Sequence, residues 1–253
     1  MFNTFIGDYL FVADIGQCLL LMTIVLFAGI VRGCIGFGFS AIVVASTSFW
    51  LPAVAVVNLV VLLEIAASVS MTTSVKDDVK PSILLPLSAG ALATTFVGTW
   101  LLATLSSVQF QWIIGSYMLI IALLTLSRFE FKGEVSTPRI VGIGMIAGFF
   151  NGLAAVGGIA AAWGLVGSKQ SVQVIRATLS MFFLFVEVLF LIGAYWNGLI
   201  SAEILTTAAL STIPLVLGTW IGGRLFKQYS DETLKRFVLI TLIALSLWGL
   251  YQT

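Results

Sequence analysis

Long apolar segments separate a few clusters of basic residues, and this arrangement constrains the fold more than any other feature. Eleven of the twelve Lys and Arg residues fall within positions 76–80, 128–139, 169–176 and 224–236. The segments between these clusters, such as 81–127, contain almost no charge. Each is long enough for at least one membrane crossing, since a transmembrane helix needs roughly 20 residues. The pattern therefore predicts an all-α membrane protein that crosses the bilayer several times.

Composition excludes several other classes of protein. Hydrophobic residues make up 60% of the chain and charged residues 9%, which is too apolar for a soluble domain. There is no histidine and there are two cysteines, so we expect no zinc, haem or non-haem iron site and no enzyme based on histidine chemistry. A net charge of +1 without a basic run gives no sign of nucleic-acid binding. No Walker-type nucleotide motif is present, and no cofactor is predicted.

The distribution of Lys and Arg also predicts the orientation, because short loops rich in these residues stay in the cytoplasm. All four basic clusters are then cytoplasmic. The connections without basic residues, 50–56, 105–111 and 197–203, are external, and so are both termini. Single crossings are predicted for 57–75, 82–104, 110–127, 177–196, 204–223 and 237–252. This topology suits a multi-pass protein of a bacterial inner membrane.

Two further apolar segments, 15–49 and 139–168, must each return to the side on which they start. They contain 35 and 30 residues, whereas two full crossings need roughly 40 residues and a turn. We predict that each forms a hairpin of short or broken helices with a Gly-rich tip inside the membrane. Irregular backbone at that depth survives only where it is buried or lines a cavity.

The two hairpins match each other at a spacing of 119 residues, which indicates an internal repeat. Ala-Gly-x-x-Arg-Gly at 28–33 aligns with Ala-Gly-x-x-Asn-Gly at 147–152. We predict repeats over 1–131 and 132–253, each with one hairpin and three full transmembrane helices. Because each repeat crosses the membrane an odd number of times, the second is inverted relative to the first. Inverted repeats with interrupted helices are typical of secondary transporters.

Arg32 lies alone in an apolar, Gly-rich stretch and is the first candidate for a binding site. A helix that begins inside the membrane leaves backbone N–H groups unsatisfied at its N-terminus, and these groups attract anions. The guanidinium of Arg32 adds a planar set of donors suited to oxyanions, and Asn151 offers uncharged donors at the matching position of the second hairpin. The predicted substrate-binding residues are Arg32, Gly33, Gly36, Gly38, Ser40, Asn151, Gly152, Gly157, Gly158 and Arg176.

The same segments allow other interpretations. Glu64 and Glu187 are the only acids deep in predicted spans, and a carboxyl group in such a place can carry a proton. Glu187 is the favoured proton carrier because it lies mid-helix, whereas Glu64 lies nearer the outer end of its span. Alternatively, Arg32 forms a structural ion pair with Glu64. Glycines spaced by four are also typical of closely packed membrane helices, and Arg176 can instead extend to the cytoplasmic interface.

Three short motifs point to a known family. They are Gly-Phe-Gly at 36–38, Gly152 followed by the Gly157-Gly158 pair, and Arg-Ala-Thr at 176–178. Together they resemble the TauE/SafE family of sulfite and organosulfonate exporters, over nearly the whole chain. Many members have a proline after the Gly-Gly pair, where this chain has Ile159. The resemblance implies a small integral membrane protein with two repeats that exports a sulfur-containing anion.

These predictions combine into a secondary transporter that exports sulfite or an organosulfonate such as sulfoacetate by alternating access. The membrane potential or a proton gradient supplies the energy, and a homodimer in the lipid bilayer is the expected assembly. One alternative is a passive channel for small anions. Another is a membrane scaffold without a substrate.

Overall fold

The computed structural model describes residues 10–12, 14–36, 38–126, 136–165 and 170–225, and within these ranges every regular element is a helix. The α-helices, in chain order, are α1 (Ile15–Ile35), α2 (Phe39–Thr47), α3 (Ala53–Val75), α4 (Pro81–Thr104), α5 (Ser107–Leu126), α6 (Thr137–Ala154), α7 (Gly157–Leu165), α8 (Val172–Trp196) and α9 (Ala202–Leu225). A 3-10 turn at Lys76–Asp78 follows α3. The all-helical prediction is therefore confirmed. The predicted last crossing, 237–252, lies outside the described residues.

Several of these helices have the length and composition of membrane spans. Among the described residues, four qualify: α1 over Ile15–Cys34, α4, α8 over Gln173–Trp196, and α9. Shorter apolar stretches occur in α3 and α5. Large hydrophobic side chains also face outward, such as Leu85, which is 68% exposed, and Trp100, which is 57% exposed. An outer surface of this kind is favourable in lipid and unfavourable in water.

Both predicted hairpins are interrupted at their tips, and in each a long helix precedes a short one. α1 has 21 residues and is capped by Gly36, whose φ of 83° favours glycine. The nine-residue α2 begins after Gly38, whose φ is 90°. In the second hairpin, α6 has 18 residues and α7 has nine, and Ala155 holds the left-handed position with a φ of 57°. The arms are therefore unequal, and among these four described arms only α1 qualifies as a membrane span by length and composition together.

The long arms pack along helices from the other half of the chain, α1 against α9 and α6 against α4. Glycines allow this contact, because a side chain at Gly33 would collide with the backbone of Thr219, and one at Gly152 with the backbone of Thr95. Gly98 and Gly222 lie against the partner backbones in the same way. Small residues thus bring the helix axes close together, as in other membrane helix pairs.

The short arms lie in the interior of the bundle. All residues of α2 except Ser46, and all residues of α7 except Trp163, are buried. Gly157 at the start of α7 packs against Ala147 of α6, so the second short arm folds back on its long arm. The helices α3 and α8 pack against each other beside these arms. Both hairpin tips are therefore enclosed by protein.

Candidate functional site

The two hairpin tips meet α3 and α8 at a small buried cavity. The first hairpin contributes Arg32, Gly38 and Ser40 to its wall. The second contributes Asn151, Ala155, Gly158 and Ile159, and α3 and α8 contribute Glu64, Phe183 and Glu187. The free volume is about 10 Å³, which is close to the minimum for one water molecule. The site is therefore closed around its own side chains.

Arg32 joins three helices at the centre of this site. It lies in the last turn of α1, and its guanidinium forms an ion pair with the carboxylate of Glu64 on α3. Its Nη2 donates a hydrogen bond to Ser68 Oγ, 3.0 Å away. Ser68 lies on α3, one turn after Glu64. The guanidinium carbon also lies 5.7 Å from the ring centre of Phe183 on α8, within the range of a cation–π contact. The alternative of a structural pair between Arg32 and Glu64 is thus the arrangement observed.

The carboxylate of Glu64 occupies the N-terminus of the short helix α2. Gly38 is the N-cap of this helix, and the backbone N–H and hydroxyl of Ser40 lie near the Glu64 carboxylate and stabilise its charge. A helix N-terminus favours negative charge because its N–H groups are unsatisfied and the helix dipole is positive there. The position predicted for a ligand anion is therefore filled by a carboxylate of the protein itself.

Apart from atoms of the paired Arg32 and Glu64, two polar atoms at the cavity wall have no hydrogen-bond partner among the described residues. They are Nδ2 of Asn151, in the last turn of α6, and Oε2 of Glu187, in the middle of α8. Both side chains are about 1% exposed. A buried polar group left without a partner costs about 1–3 kcal/mol. Unpartnered groups that face a cavity are suited to bind a ligand or a proton.

The charge of the site depends on the protonation of its two acids. Among the described residues that line the cavity, Arg32, Glu64 and Glu187 are the charged ones. If both carboxyl groups were ionised, the site would have a net negative charge in a low-dielectric interior, which is unfavourable. Because Glu64 is paired with Arg32, the neutral combination has the proton on Glu187.

Other predicted site residues lie elsewhere. Gly33 and Gly152 are contacts between long helices, and Gly157 packs on α6. Gly36 shapes the turn after α1 and is not among the residues that line the cavity. The side chain of Arg176 lies outside the described residues.

The sequence-based prediction placed Glu64 too near the outer end of its helix, and it did not include two of the contacts in the site. The predicted span 57–75 placed Glu64 near the outer end, whereas α3 starts at Ala53 and Glu64 is its twelfth residue of 23. The helix starts earlier because proline at 52 is compatible with a helix start, and the Pro52 carbonyl accepts from the N–H of Val56. Ser68 and Phe183 were not predicted. Each lies four positions from a glutamate, and this spacing puts it on the same helix face.

These features define a polytopic membrane protein with a charged site buried between two interrupted helices. The chain belongs to the TauE/SafE sulfite exporter family, since the family model described as sulfite exporter TauE/SafE matches residues 21–248. The resemblance seen in the motifs is confirmed, and the protein is a membrane transporter and not an enzyme. No curated protein and no solved structure matches the chain.

Proposed function

We propose that this protein exports a small sulfur-containing anion, sulfite or an organosulfonate such as sulfoacetate, across the bacterial inner membrane by alternating access. One observation carries the proposal. Arg32 and Ser40 of the first hairpin and Asn151 of the second face the same buried cavity. A cation, a helix N-terminus and a free amide donor together suit an oxyanion with several acceptor atoms.

Each of these groups has a separate role in binding. The guanidinium of Arg32 presents paired N–H donors to two oxygens of the anion. The N-terminus of α2, with the Ser40 hydroxyl, stabilises the negative charge. Asn151 supplies a donor that no described residue uses. An uncharged donor opposite a cation favours a tetrahedral or pyramidal oxyanion, which presents oxygens to both sides.

The proposed motion uses two inverted repeats, 1–131 and 132–253. The helix order supports them, because a long arm, a short arm and two long helices occur as α1 to α4 and again as α6 to α9. The exchanged packing of α1 on α9 and of α6 on α4 supports them as well. Each pair contains one helix from each repeat. Rocking of one pair relative to the other would open the cavity to alternate sides.

The proposed energy source is the membrane potential or the proton gradient. An inside-negative potential drives an anion outward with about 2.3 kcal/mol per charge per 100 mV. Glu187 is proposed as the proton carrier, and its unpartnered Oε2 at the cavity wall supports this role. The proposed assembly is a homodimer.

Anion binding by the purified protein tests the proposal. Thermal melting would be recorded with sulfite, sulfoacetate, methanesulfonate, sulfate and acetate. We expect the sulfur oxyanions to raise the melting temperature, and we expect Arg32→Lys to lose most of this rise. Arg224→Lys is the matched control, because Arg224 is exposed and stacks on Trp220, with its guanidinium carbon 3.6 Å from the ring centre. An equal response of both variants would contradict a binding role for Arg32.

Flux in proteoliposomes separates a transporter from a channel. We expect efflux of the best-binding anion to saturate with concentration and to fall strongly in Arg32→Lys, which keeps a cation beside Glu64. Unitary currents without saturation would contradict alternating access.

A further inference from the structure

We propose that Glu64 is an internal competitor for the transported anion, and that an anion gains access to Arg32 only when Glu64 takes up a proton. This inference rests on the proposed function, because it assigns a regulation to the same site. In the closed site, the Glu64 carboxylate occupies both places that attract an anion. It pairs with the guanidinium of Arg32 and lies near the backbone N–H and hydroxyl of Ser40 at the N-terminus of α2.

The closed geometry leaves no room for a second anion beside Glu64. The cavity is about 10 Å³, and the side chains of Arg32 and Glu64 are 1% and 3% exposed. An anion must therefore replace Glu64 at the guanidinium. The replacing anion would also accept a hydrogen bond from Asn151, since Nδ2 of this residue is buried at the same cavity and has no partner among the described residues.

Charge balance supplies the role of the proton. Before binding, Arg32 is positive, Glu64 is negative and Glu187 is protonated, so the site is neutral. If a monovalent anion replaces an ionised Glu64, the buried site becomes negative, which is costly at this depth. Addition of one proton to Glu64 restores neutrality, and the protonated carboxyl no longer attracts Arg32. One proton is then taken up for each monovalent anion bound.

The groups that face Glu64 support its assignment as the acceptor of this proton. The charged residues that act on it are Arg32 from α1 and Glu187 from α8. The neighbouring helices α2 and α4 contain no charged residue. The charged residues of α6 and α9 are Arg139, Glu203 and Arg224, and they lie near the ends of these helices. Among the described residues, the site therefore contains two acids that can receive the proton, and only Glu64 blocks the guanidinium.

Isothermal titration with methanesulfonate tests this inference, because this anion stays ionised throughout the pH range of protein titrations. Titrations in buffers with different ionisation enthalpies give the number of protons taken up per anion. For the wild type we expect a value near one, and an affinity that falls about tenfold for each unit of rising pH where Glu64 is ionised. The affinity is highest at low pH, because the proton and the anion bind together.

The variants identify the proton acceptor. Glu64→Gln should bind methanesulfonate at least tenfold more tightly than the wild type at high pH, with a proton number near zero. Glu203→Gln is the matched control, because Glu203 is exposed in the first turn of α9, and its proton number should stay near one. The inference would be overturned if Glu187→Gln bound the anion without proton uptake while Glu64→Gln still took up one proton per anion. That result would assign the proton to Glu187.

The wild-type titration tests the inference even if Glu64→Gln does not fold. A wild-type proton number of zero with tight, pH-independent binding would overturn the competitor role and leave the proposed function intact. Absence of binding by any sulfur oxyanion to wild type, and to Glu64→Gln where it folds, would instead contradict the proposed function itself.

Discussion

Arg32 and Asn151 stand 119 positions apart, at matching places of two hairpins, and line the same buried cavity. The two side chains differ in charge. The two hairpins therefore place different chemical groups at matching positions of the site. The cation belongs to the first hairpin and the free amide donor to the second. An anion between them would be held by one charged and one neutral contact.

Removal of Arg32 should destabilise the protein. Arg32→Ala leaves the buried carboxylate of Glu64 without its partner, and the loss of one member of such a pair costs about 3–5 kcal/mol. The double variant Arg32→Ala/Glu64→Gln should recover part of this loss, because no unpaired charge remains. Melting curves of both single variants and the double variant give the coupling energy. Additive effects would show that the pair contributes nothing to stability.

Replacement of Glu187 should separate binding from coupled transport. Glu187→Gln keeps the shape of the side chain and fixes it in a neutral form, so methanesulfonate binding should persist. Flux driven by a pH gradient in proteoliposomes should fall at least tenfold, because Glu187 is the proposed route by which a proton reaches Glu64. Unchanged pH-driven flux would assign the coupling to another group. Glu203→Gln, at an exposed position, provides the control.

Substitution by alanine should affect protein stability differently at two adjacent glycines of α9. A side chain at Gly222 would collide with the backbone of Ile30 and approach Cys34 and Gly33, whereas one at Gly223 would meet open space. Gly222→Ala should therefore destabilise the protein by about 1–3 kcal/mol, the usual cost of overpacking. Gly223→Ala should be neutral. Melting temperatures in detergent measure both, and equal values would contradict the close contact of α1 with α9.

The proposed topology places Ser107 outside and Ser136 in the cytoplasm. Both residues are exposed, so single cysteines there would be accessible. In a background without Cys18 and Cys34, an impermeant thiol reagent should label Ser107→Cys in intact cells and Ser136→Cys only after lysis. Equal labelling of both in intact cells would exclude the inverted arrangement.

Much of the helix pattern could be predicted because lipid restricts the backbone to helices of a known length. The segments predicted at 82–104 and 204–223 are helices over Pro81–Thr104 and Ala202–Leu225, and both have the length and composition of a membrane span. The hairpin tips were also found, since positions such as Gly36 and Gly38 have backbone angles that favour glycine.

The partners within the site were harder to predict. The sequence placed Arg32 and both acids in the membrane, but the choice between a bound anion and Glu64 depends on how α1 and α3 are rotated about their axes. That rotation is fixed by packing with α9 and α8, which are more than 100 residues away in the chain. Hydrophobic periodicity carries little information here, because lipid-facing and core-facing sides are both apolar.

The contact of α1 with α9 has a consequence for how the protein is made. Gly29 and Gly33 of the first long helix find their partners in a helix that the ribosome completes almost 200 residues later. Until then, the small-residue face of α1 has only lipid or a temporary neighbour to contact. Packing over so long a stretch of chain is slow compared with local contacts. A nascent chain arrested before α9 would therefore leave the small-residue face of α1 without its partner helix, and such intermediates are natural targets for membrane proteases and insertion factors.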